Sequence, residues 1–365
     1  MSPLFAYVGC RTTRKRDARG LGLGVYRVDE PSGAWTPIQL VGDLVNPSYL
    51  AVDRFGRVLY VVHGDQSDVS AFRIDAEDGT LTFLNQQSTR GLNPVHLAVD
   101  PANRFLVVAN YATGSLASLP IGRDGDLEPV CDLLSLPGET GPHRTEQSFS
   151  HPHQVLLDPH ETCFIVPDKG LDATFIVEFD RDRGSLWLDE RRPRAARPGA
   201  GPRHAAFHPT APILYLVNEL DSTVTTCRFD AATRTLRQIE LVSTQPANFL
   251  GTNNGAAIAV PPSGRFVYVS NRGHDSVAIF AVDPESHGLA AVGWVHTQGK
   301  VPRFMTLDPS GRVLFVANEA SHTIVSFHVD QASGALTPTG RVLETGSPVC
   351  ILFGDAGNRK EAEIS

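Results

Sequence analysis

Residues 96–111 read HLAVDPANRFLVVANY, two short apolar runs on either side of the pentad DPANR at 100–104. The runs are rich in β-branched side chains and are too short for helices, which favours strands. Asp and Pro in the pentad, with Gly in other copies of it, are residues that form tight turns and bond their own backbone. The stretch therefore predicts a β-hairpin.

The same unit returns along the chain. Pentads between two apolar runs start at positions 53, 100, 158, 208, 261 and 308, and a weaker one, DAGNR, starts at 355. The copies are thus 47 to 58 residues apart, and further strand-like runs follow each pair. Seven units of four strands predict an all-β fold, a seven-bladed β-propeller with four-stranded blades.

The seventh unit is split between the two termini. The chain ends within a few residues of VCILFGDAGNR, and the missing runs stand at its start as LFAYVG, LGVYRVD and WTPIQLV. We expect the N-terminal strands to pair with the C-terminal inner strand, because this closes the ring and leaves no open sheet edge. Residues 1–365 are predicted to form a single domain.

Composition excludes several classes of protein. The net charge is −8, and the one basic run, RTTRKRDAR at 11–19, is interpreted as a solvated loop, which argues against a nucleic-acid-binding protein. No segment has the roughly 18 apolar residues that a membrane span needs. Five cysteines without a C-x-x-C pair argue against a disulfide framework or structural zinc site, and favour a reducing, cytoplasmic location.

Strand ends place polar side chains at one mouth of the predicted channel. Residues just before the first strand of a blade and just after its second share a rim, so Arg203 and Glu219 are expected to meet there. Arg272 follows the second strand of the next unit. Two arginines and one glutamate leave positive charge for an anionic ligand. The candidate catalytic residues are His153, Arg203, Glu219 and Arg272. The candidate substrate-binding residues are His151, His204, Asn110 and Arg303.

Simpler interpretations stand beside these. Asn110 can cap a turn through its side chain, and Arg203 with Glu219 can be a structural ion pair. His151 and His153 alternate along a strand and could bind a metal, but no third ligand is evident, so neither a metal nor another cofactor is expected.

Across nearly its whole length the chain resembles the seven-bladed propeller lactonases, which include propeller-type 6-phosphogluconolactonases and carboxy-cis,cis-muconate cyclases. The segments that carry the resemblance are NPSYLAVD, HLAVDPANRFLVVANY, SHPHQVLLDP with VPDKGLD, GPRHAAFHP with LVNEL, GRFVYVSNRGHDSVAIF, PRFMTLDPSGR with VAN, and SPVCILF. The resemblance implies a site made of the HPH histidine (His153 or His151), Arg203, Glu219 and Arg272.

Three features differ from what the resemblance implies. Ala256-Ala257-Ile258-Ala259 stands where an acidic residue and a histidine are usual, and Glu319 where glutamine is common. The segment from Leu134 to Ser150 makes the 58-residue gap and is expected to overhang the site.

Two activities and one inactive alternative follow. The first is hydrolysis of a sugar-acid lactone, with Glu219 as the base or holding the water, the arginines binding anionic groups, and His153 protonating the leaving alkoxide. The second is cycloisomerisation of a carboxymuconate-type dicarboxylate. The third is a non-catalytic propeller that binds a partner. This alternative predicts a broad apolar rim, whereas the predicted rim is polar. The ligand expected is a small anionic lactone or dicarboxylate, and the oligomeric state stays open.

Overall fold

The computed structural model of the protein describes residues 4–29, 33–189 and 196–355. Within these residues it contains seven four-stranded antiparallel sheets, which are the blades of a seven-bladed β-propeller. Blade 1 comprises β4 (Pro47–Val52), β5 (Val58–His63), β6 (Asp68–Ile74) and β7 (Leu81–Ser88). Blade 2 comprises β8 (Pro94–Val99), β9 (Phe105–Asn110), β10 (Ser115–Pro120) and β11 (Asp132–Ser135). Blade 3 comprises β12 (Leu156–Leu157), β13 (Cys163–Asp168), β14 (Ala173–Phe179) and β15 (Leu186–Leu188).

The remaining strands have the same order within each blade. Blade 4 comprises β16 (Pro202–Phe207), β17 (Ile213–Asn218), β18 (Thr223–Asp230) and β19 (Thr235–Ser243). Blade 5 comprises β20 (Asn254–Ala259), β21 (Phe266–Arg272), β22 (Ser276–Val282) and β23 (Leu289–His296). Blade 6 comprises β24 (Pro302–Leu307), β25 (Val313–Asn318), β26 (Thr323–Val329) and β27 (Leu336–Glu344). The closing blade comprises β28 (Pro348–Asp355), β1 (Leu4–Cys10), β2 (Leu23–Asp29) and β3 (Ala34–Val41).

The closing blade confirms the predicted junction of the termini. Strand β1 pairs antiparallel with β28 from Leu4 opposite Asp355 to Cys10 opposite Pro348. The ring is therefore closed by main-chain hydrogen bonds between the two ends of the described chain, and β28 has an antiparallel neighbour like the inner strand of each other blade. Of the seventh predicted turn, DAGNR, only Asp355 is described; the other four residues lie outside the described residues.

The repeated pentad forms the predicted hairpin turn. In blade 2, Oδ1 of Asp100 accepts hydrogen bonds from the backbone N–H groups of Arg104 and Phe105, and Asn103 takes a left-handed conformation at φ 58°. The first aspartate accepts the equivalent pair of bonds in blades 1, 3 and 6. These side-chain caps explain why the pentads of blades 1, 2, 3 and 6 begin with aspartate.

Buried tyrosines connect neighbouring blades. Tyr7, Tyr60, Tyr215 and Tyr268 lie on the second strand of four blades and are nearly or wholly inaccessible to solvent. Each hydroxyl donates to a main-chain carbonyl in the outer hairpin of the next blade. The apolar core also lies between successive blades. Among the described residues, no helix is long and apolar enough to cross a membrane.

Candidate active site

A β-bulge at the start of the innermost strands directs side chains towards the channel. In blade 4, Pro202 pairs with Asn218 and His204 with Val217, so Arg203 is left without a partner. Blades 1, 2 and 6 carry the same irregularity. In blade 6 the extra residue is Arg303. Bulges of this kind change the direction of a side chain next to functional sites.

Blade 3 uses the same position for His153. Its first strand is regular only at Leu156–Leu157, while Pro152 makes an isolated bridge to Asp168. The N–H of His153 still donates to the carbonyl of Pro167 at 2.9 Å. His153, Arg203 and Arg303 therefore come from one position of the repeat, although they are far apart in sequence.

These positions surround a cavity of about 510 Å³ at the predicted mouth. Its lining includes His153, Glu219, Arg272 and Arg303 of the predicted residues, together with Arg11 and Lys169. The volume lies in the range of sites for small molecules. The predicted meeting of these residues at one end of the channel is thus what the structure shows.

Glu219 is the centre of a buried charge cluster. Its Oε2 lies 2.9 Å from Nε of Arg203 and 3.0 Å from Nη2 of Arg272, and its Oε1 lies 3.2 Å from Nζ of Lys169. Only 7% of Glu219 is exposed. Burial by itself raises the pKa of Glu219, but Arg272, Lys169 and Arg203 outweigh burial and hold that pKa far below its usual range. The carboxylate is therefore ionised at any neutral pH.

The main chain of blade 5 holds the two arginines. Nη1 of Arg203 donates to the carbonyl of Ala256 at 2.5 Å, and Nη2 of Arg272 donates to the carbonyl of Gly255 at 3.1 Å. A register shift between Gly255 and Ile258 makes this possible. A Cβ at Gly255 would lie 2.7 Å from a backbone oxygen of blade 4. Small residues in this segment, including the unexpected Ala256-Ala257, allow the arginines to approach the backbone.

Arg203 and Arg272 differ in their access to a ligand. Arg203 is 2% exposed and does not line the cavity. Burial and the nearby Arg272 lower its pKa to about 9, while Glu219 opposes that shift. Arg272 does line the cavity, and its Nε has no hydrogen-bond partner among the described residues. Arg272 can therefore contact a ligand directly, whereas Arg203 lies behind Glu219.

His153 is buried, uncharged and incompletely bonded. Its ring makes edge contacts with Tyr111 and His204, at centroid distances of 5.5 and 5.1 Å. Burial, and then the charge of Arg203, depress the pKa of His153 well below its usual value. Its Nδ1 has no hydrogen-bond partner in the described part of the chain. The imidazole on the cavity wall is therefore neutral and has a nitrogen lone pair that can accept a proton, although its depressed pKa makes it a weaker base than a free histidine.

The other two predicted histidines lie outside the cavity lining. His151 stacks on Tyr111 at 4.3 Å, and its Nδ1–H donates to the Tyr111 carbonyl at 2.9 Å. His204 lies deeper, between His153 and His96, with ring centroids 5.1 and 5.8 Å away. Both histidines contact residues beside the cavity but neither reaches it. Within the described residues, no group of three or more His, Cys, Asp or Glu side chains is arranged to hold a metal ion.

Asn110 also lies away from the cavity. It is fully buried, and its Nδ2 donates towards the carbonyl of Thr89 and Oγ of Ser115 at 3.4 and 3.3 Å. Asn318 makes the equivalent contact in blade 6, where its Nδ2 donates to the Thr297 carbonyl at 3.1 Å. The structure thus supports the turn-capping interpretation of Asn110 and not direct contact with a ligand.

Asn110→Ala is expected to destabilise the fold without impairing turnover. It removes two buried hydrogen bonds, so the free energy of unfolding should fall by about 1–2 kcal/mol, as measured by urea denaturation. Asn318→Ala is the matched control and should behave alike. A large drop in kcat/KM for Asn110→Ala alone would return Asn110 to the ligand-binding residues.

Arg11 and Lys169, two cations that are not among the sequence-predicted candidates, also line the cavity. The basic run at 11–19 is exposed at Arg14 and Lys15, as a solvated loop requires, but Arg11 is buried and lines the cavity. Arg11 follows β1, which is the second strand of the closing blade. The rule that located Glu219 would have found Arg11, had it been applied to the split blade. Lys169 follows β13 in the same way.

The segment before His151 contributes to the cavity as expected. His143 and Glu146 belong to the lining, and Oε2 of Glu146 lies 2.6 Å from Nζ of Lys169. Nε2 of Gln147 donates to the carbonyl of Lys169 at 2.9 Å, which fixes this segment to blade 3. The long insertion in the third unit therefore narrows the mouth of the channel.

Comparison with known proteins gives a consistent result. The family described as lactonase, 7-bladed beta-propeller, matches residues 5–353. A 6-phosphogluconolactonase of Bacillus subtilis is 34% identical over 84% of this chain and 86% of its own length. A 6-phosphogluconolactonase of Formosa agariphila is 30% identical over 83% of this chain and 86% of its own. The periplasmic gluconolactonase of Pseudomonas aeruginosa has a TM-score of 0.86, with 30% identity over 97% of this chain and 100% of that structure.

Proposed function

The chain belongs to the seven-bladed β-propeller lactonase family and is a lactone-hydrolysing enzyme, and we propose that its substrate is an anionic sugar-acid lactone, such as 6-phosphogluconolactone. Relatives named 6-phosphogluconolactonase support this choice. We also propose a cytoplasmic location, which the odd number of cysteines supports, although a gluconolactonase with the same fold is periplasmic.

The excess of positive charge around the cavity is the observation that best supports the proposal. Six basic side chains line the cavity or lie directly behind it, and their ion-pair partners are four carboxylates, all in the described part of the chain. They are Arg11, Arg16, Lys169, Arg203, Arg272 and Arg303, paired with Asp65, Glu146, Glu219 and Glu319. Two positive charges are left over in a protein of net charge −8. Such a mouth attracts anions and raises their local concentration.

We assign the proton transfers of hydrolysis to His153. His153 lines the cavity, and its neutral imidazole takes a proton from the water whose oxygen bonds to the lactone carbonyl carbon. When the ring C–O bond breaks, the imidazolium returns that proton to the leaving alkoxide, so one water is consumed and the enzyme is restored. Glu219 is a poor base in its cluster of three cations, because their charge stabilises its ionised form.

Arg272 and Arg203 then have different roles. Arg272 donates to the oxyanion that develops on the carbonyl oxygen, since its side chain lines the cavity. Arg203 acts through Glu219, which it holds in place from behind the lining. The sequence predicts that both arginines bind the ligand; the burial of Arg203 favours a positioning role for it.

The test is hydrolysis of a panel of lactones by purified protein, corrected for spontaneous hydrolysis. We expect turnover of 6-phosphogluconolactone, and a fall in kcat of about 10²- to 10⁴-fold in His153→Gln, because a general acid–base group is removed. His160→Gln is the control: this exposed histidine lies in the hairpin turn of the same blade, away from the cavity. An unchanged kcat in His153→Gln would remove His153 from the mechanism. Turnover of a carboxymuconate, together with no hydrolysis of any lactone in the panel, would favour the cycloisomerase alternative.

A further inference from the structure

Arg11 is a buried cation with most of its bonding capacity unused. Its side chain is 3% exposed and lines the cavity. Nε and Nη1 have no hydrogen-bond partner among the described residues. The only carboxylate paired with it there is Glu319, whose Oε1 lies 3.8 Å from Nε, beyond hydrogen-bond distance. A buried charge without a hydrogen-bonded partner is costly, so an anion that binds in the cavity beside this guanidinium would be stabilised by it.

Arg303 shares this single carboxylate. Its Nε lies 3.8 Å from Oε2 of Glu319, so one carboxylate stands between two guanidinium groups and is too far from either Nε for a hydrogen bond. The bulge of blade 6 places Arg303 in the cavity lining. Just before it, Val301 has φ 58°, a left-handed conformation that β-branched residues rarely adopt. The fold thus accepts local strain next to Arg303.

Arg16 does not belong to this pair, although it lines the cavity. Its Nε and Nη2 bind both oxygens of Asp65, at 2.8 and 2.5 Å. This bidentate ion pair satisfies the charge of Arg16. The unbalanced positive charge in this part of the cavity therefore lies on Arg11 and Arg303.

The two ends of the site lie across the channel from each other. His153 is in blade 3 and Arg11 in the closing blade, three blades apart, which is the largest separation that a ring of seven permits. One cavity contacts both residues. A ligand whose reacting carbonyl lies beside His153 would therefore extend its far end towards Arg11.

We propose that Arg11 and Arg303 form a second anion subsite, which binds a phosphate or carboxylate group at the end of the sugar acid remote from the lactone carbonyl. This inference rests on the proposed function, and it makes these arginines the determinants of preference for lactones with a remote anionic group. Guanidinium groups bind both kinds of oxyanion through paired N–H donors. Glu319 weakens the subsite, because it competes for the same two cations.

The test measures binding of the open-chain acids by calorimetry, so it needs no turnover. Wild-type protein should bind 6-phosphogluconate at least tenfold more tightly than gluconate, which lacks the remote anion. Arg11→Gln should reduce that ratio by roughly 10- to 100-fold, or to near unity, the usual effect of losing a charged hydrogen bond. Arg14→Gln, an exposed member of the same basic run, is the matched control. Glucarate in place of 6-phosphogluconate shows whether a carboxylate is accepted as well as a phosphate.

Glu319→Gln is expected to gain affinity, and a gain of affinity cannot be caused by misfolding. Removing the competing carboxylate should tighten binding of 6-phosphogluconate several-fold and leave gluconate less affected. If Arg11→Gln does not fold, the affinities of Glu319→Gln and Arg303→Gln for 6-phosphogluconate and gluconate test the subsite instead.

The outcomes separate this inference from the proposed function. Equal affinities of wild-type protein for 6-phosphogluconate and gluconate, or an unchanged ratio in Arg11→Gln, overturn the subsite even if lactones are hydrolysed. A preference for 6-phosphogluconate that depends on Arg11, in a protein that hydrolyses no lactone, supports the subsite and overturns the proposed function.

Discussion

Glu219→Gln is expected to cost about 3–5 kcal/mol of the free energy of unfolding and, because Arg272 loses the carboxylate that positions it, to reduce turnover at least 100-fold. The amide keeps the shape of the side chain but removes the negative charge on which Arg203, Arg272 and Lys169 converge. Breaking a buried ion pair on one side leaves uncompensated charge, which is far more costly than losing an exposed pair. The sequence shows neither how deeply Glu219 is buried nor that Lys169 is the third cation of its cluster.

Urea denaturation of the variant and of Glu146→Gln tests this expectation. Glu146 also pairs with Lys169, but its side chain is 45% exposed, so its loss should cost no more than about 1 kcal/mol. A second substitution, Lys169→Met, should restore part of the stability of Glu219→Gln because it removes one of the three cations that Glu219 balances, although Glu146 still pairs with Lys169 in the single variant. Equal unfolding midpoints for wild-type protein and Glu219→Gln would show that the cluster does not support the fold.

The fold could be predicted because its determinants are local and repeated. The turn aspartates, such as Asp100, bond to the backbone only a few residues away, so the hairpins that contain them can be recognised in the sequence. The split blade could be predicted because a ring needs its seventh sheet. Spacing alone also placed Arg203 and Glu219 at one rim, since strand length and turn length fix which ends meet.

The depth of each side chain could not be predicted. Arg203 and Arg303 occupy the same bulge position of the repeat, yet Arg203 is sealed behind Glu219 and Arg303 lines the cavity. That difference depends on the neighbouring blades, which lie some fifty residues away in sequence. The position of Arg11 was missed for another reason. Its neighbours in the basic run are exposed, and Arg11 lies beside the channel only because β1 pairs with β28 in the closing blade.

Three imidazoles buried along the channel predict a loss of stability in mild acid. Burial, and then the charge of Arg203, depress the pKa of His96 to about 3 and place the pKa values of His153 and His204 well below the usual range. In the unfolded chain each histidine takes up its proton near pH 6.5. The unfolded state therefore binds more protons than the folded state as soon as the pH falls below 6.5.

Each such group removes about 1 kcal/mol of stability in the first unit of pH below 6.5, where the unfolded histidine is only partly protonated, and about 1.4 kcal/mol per unit below that, until its folded-state pKa is reached. Three groups together should cost about 3 kcal/mol between pH 6.5 and 5.5. The depressed pKa of Glu219 adds its own loss only at lower pH, below the unfolded pKa of a glutamate near 4.3. The pH range from 6.5 to 5 thus isolates the histidines from this carboxylate.

Urea denaturation at half-unit steps of pH measures this slope. His96→Gln should reduce the slope by about one proton, because the ring lies deep in the channel with an unpartnered Nε2 and has no part in the proposed chemistry. His160→Gln, at an exposed turn, should keep the full wild-type slope. A free energy of unfolding that stays constant from pH 6.5 to 5 would mean that the channel imidazoles take up protons in the folded state. In that case His153 could not be the neutral base of the proposed hydrolysis.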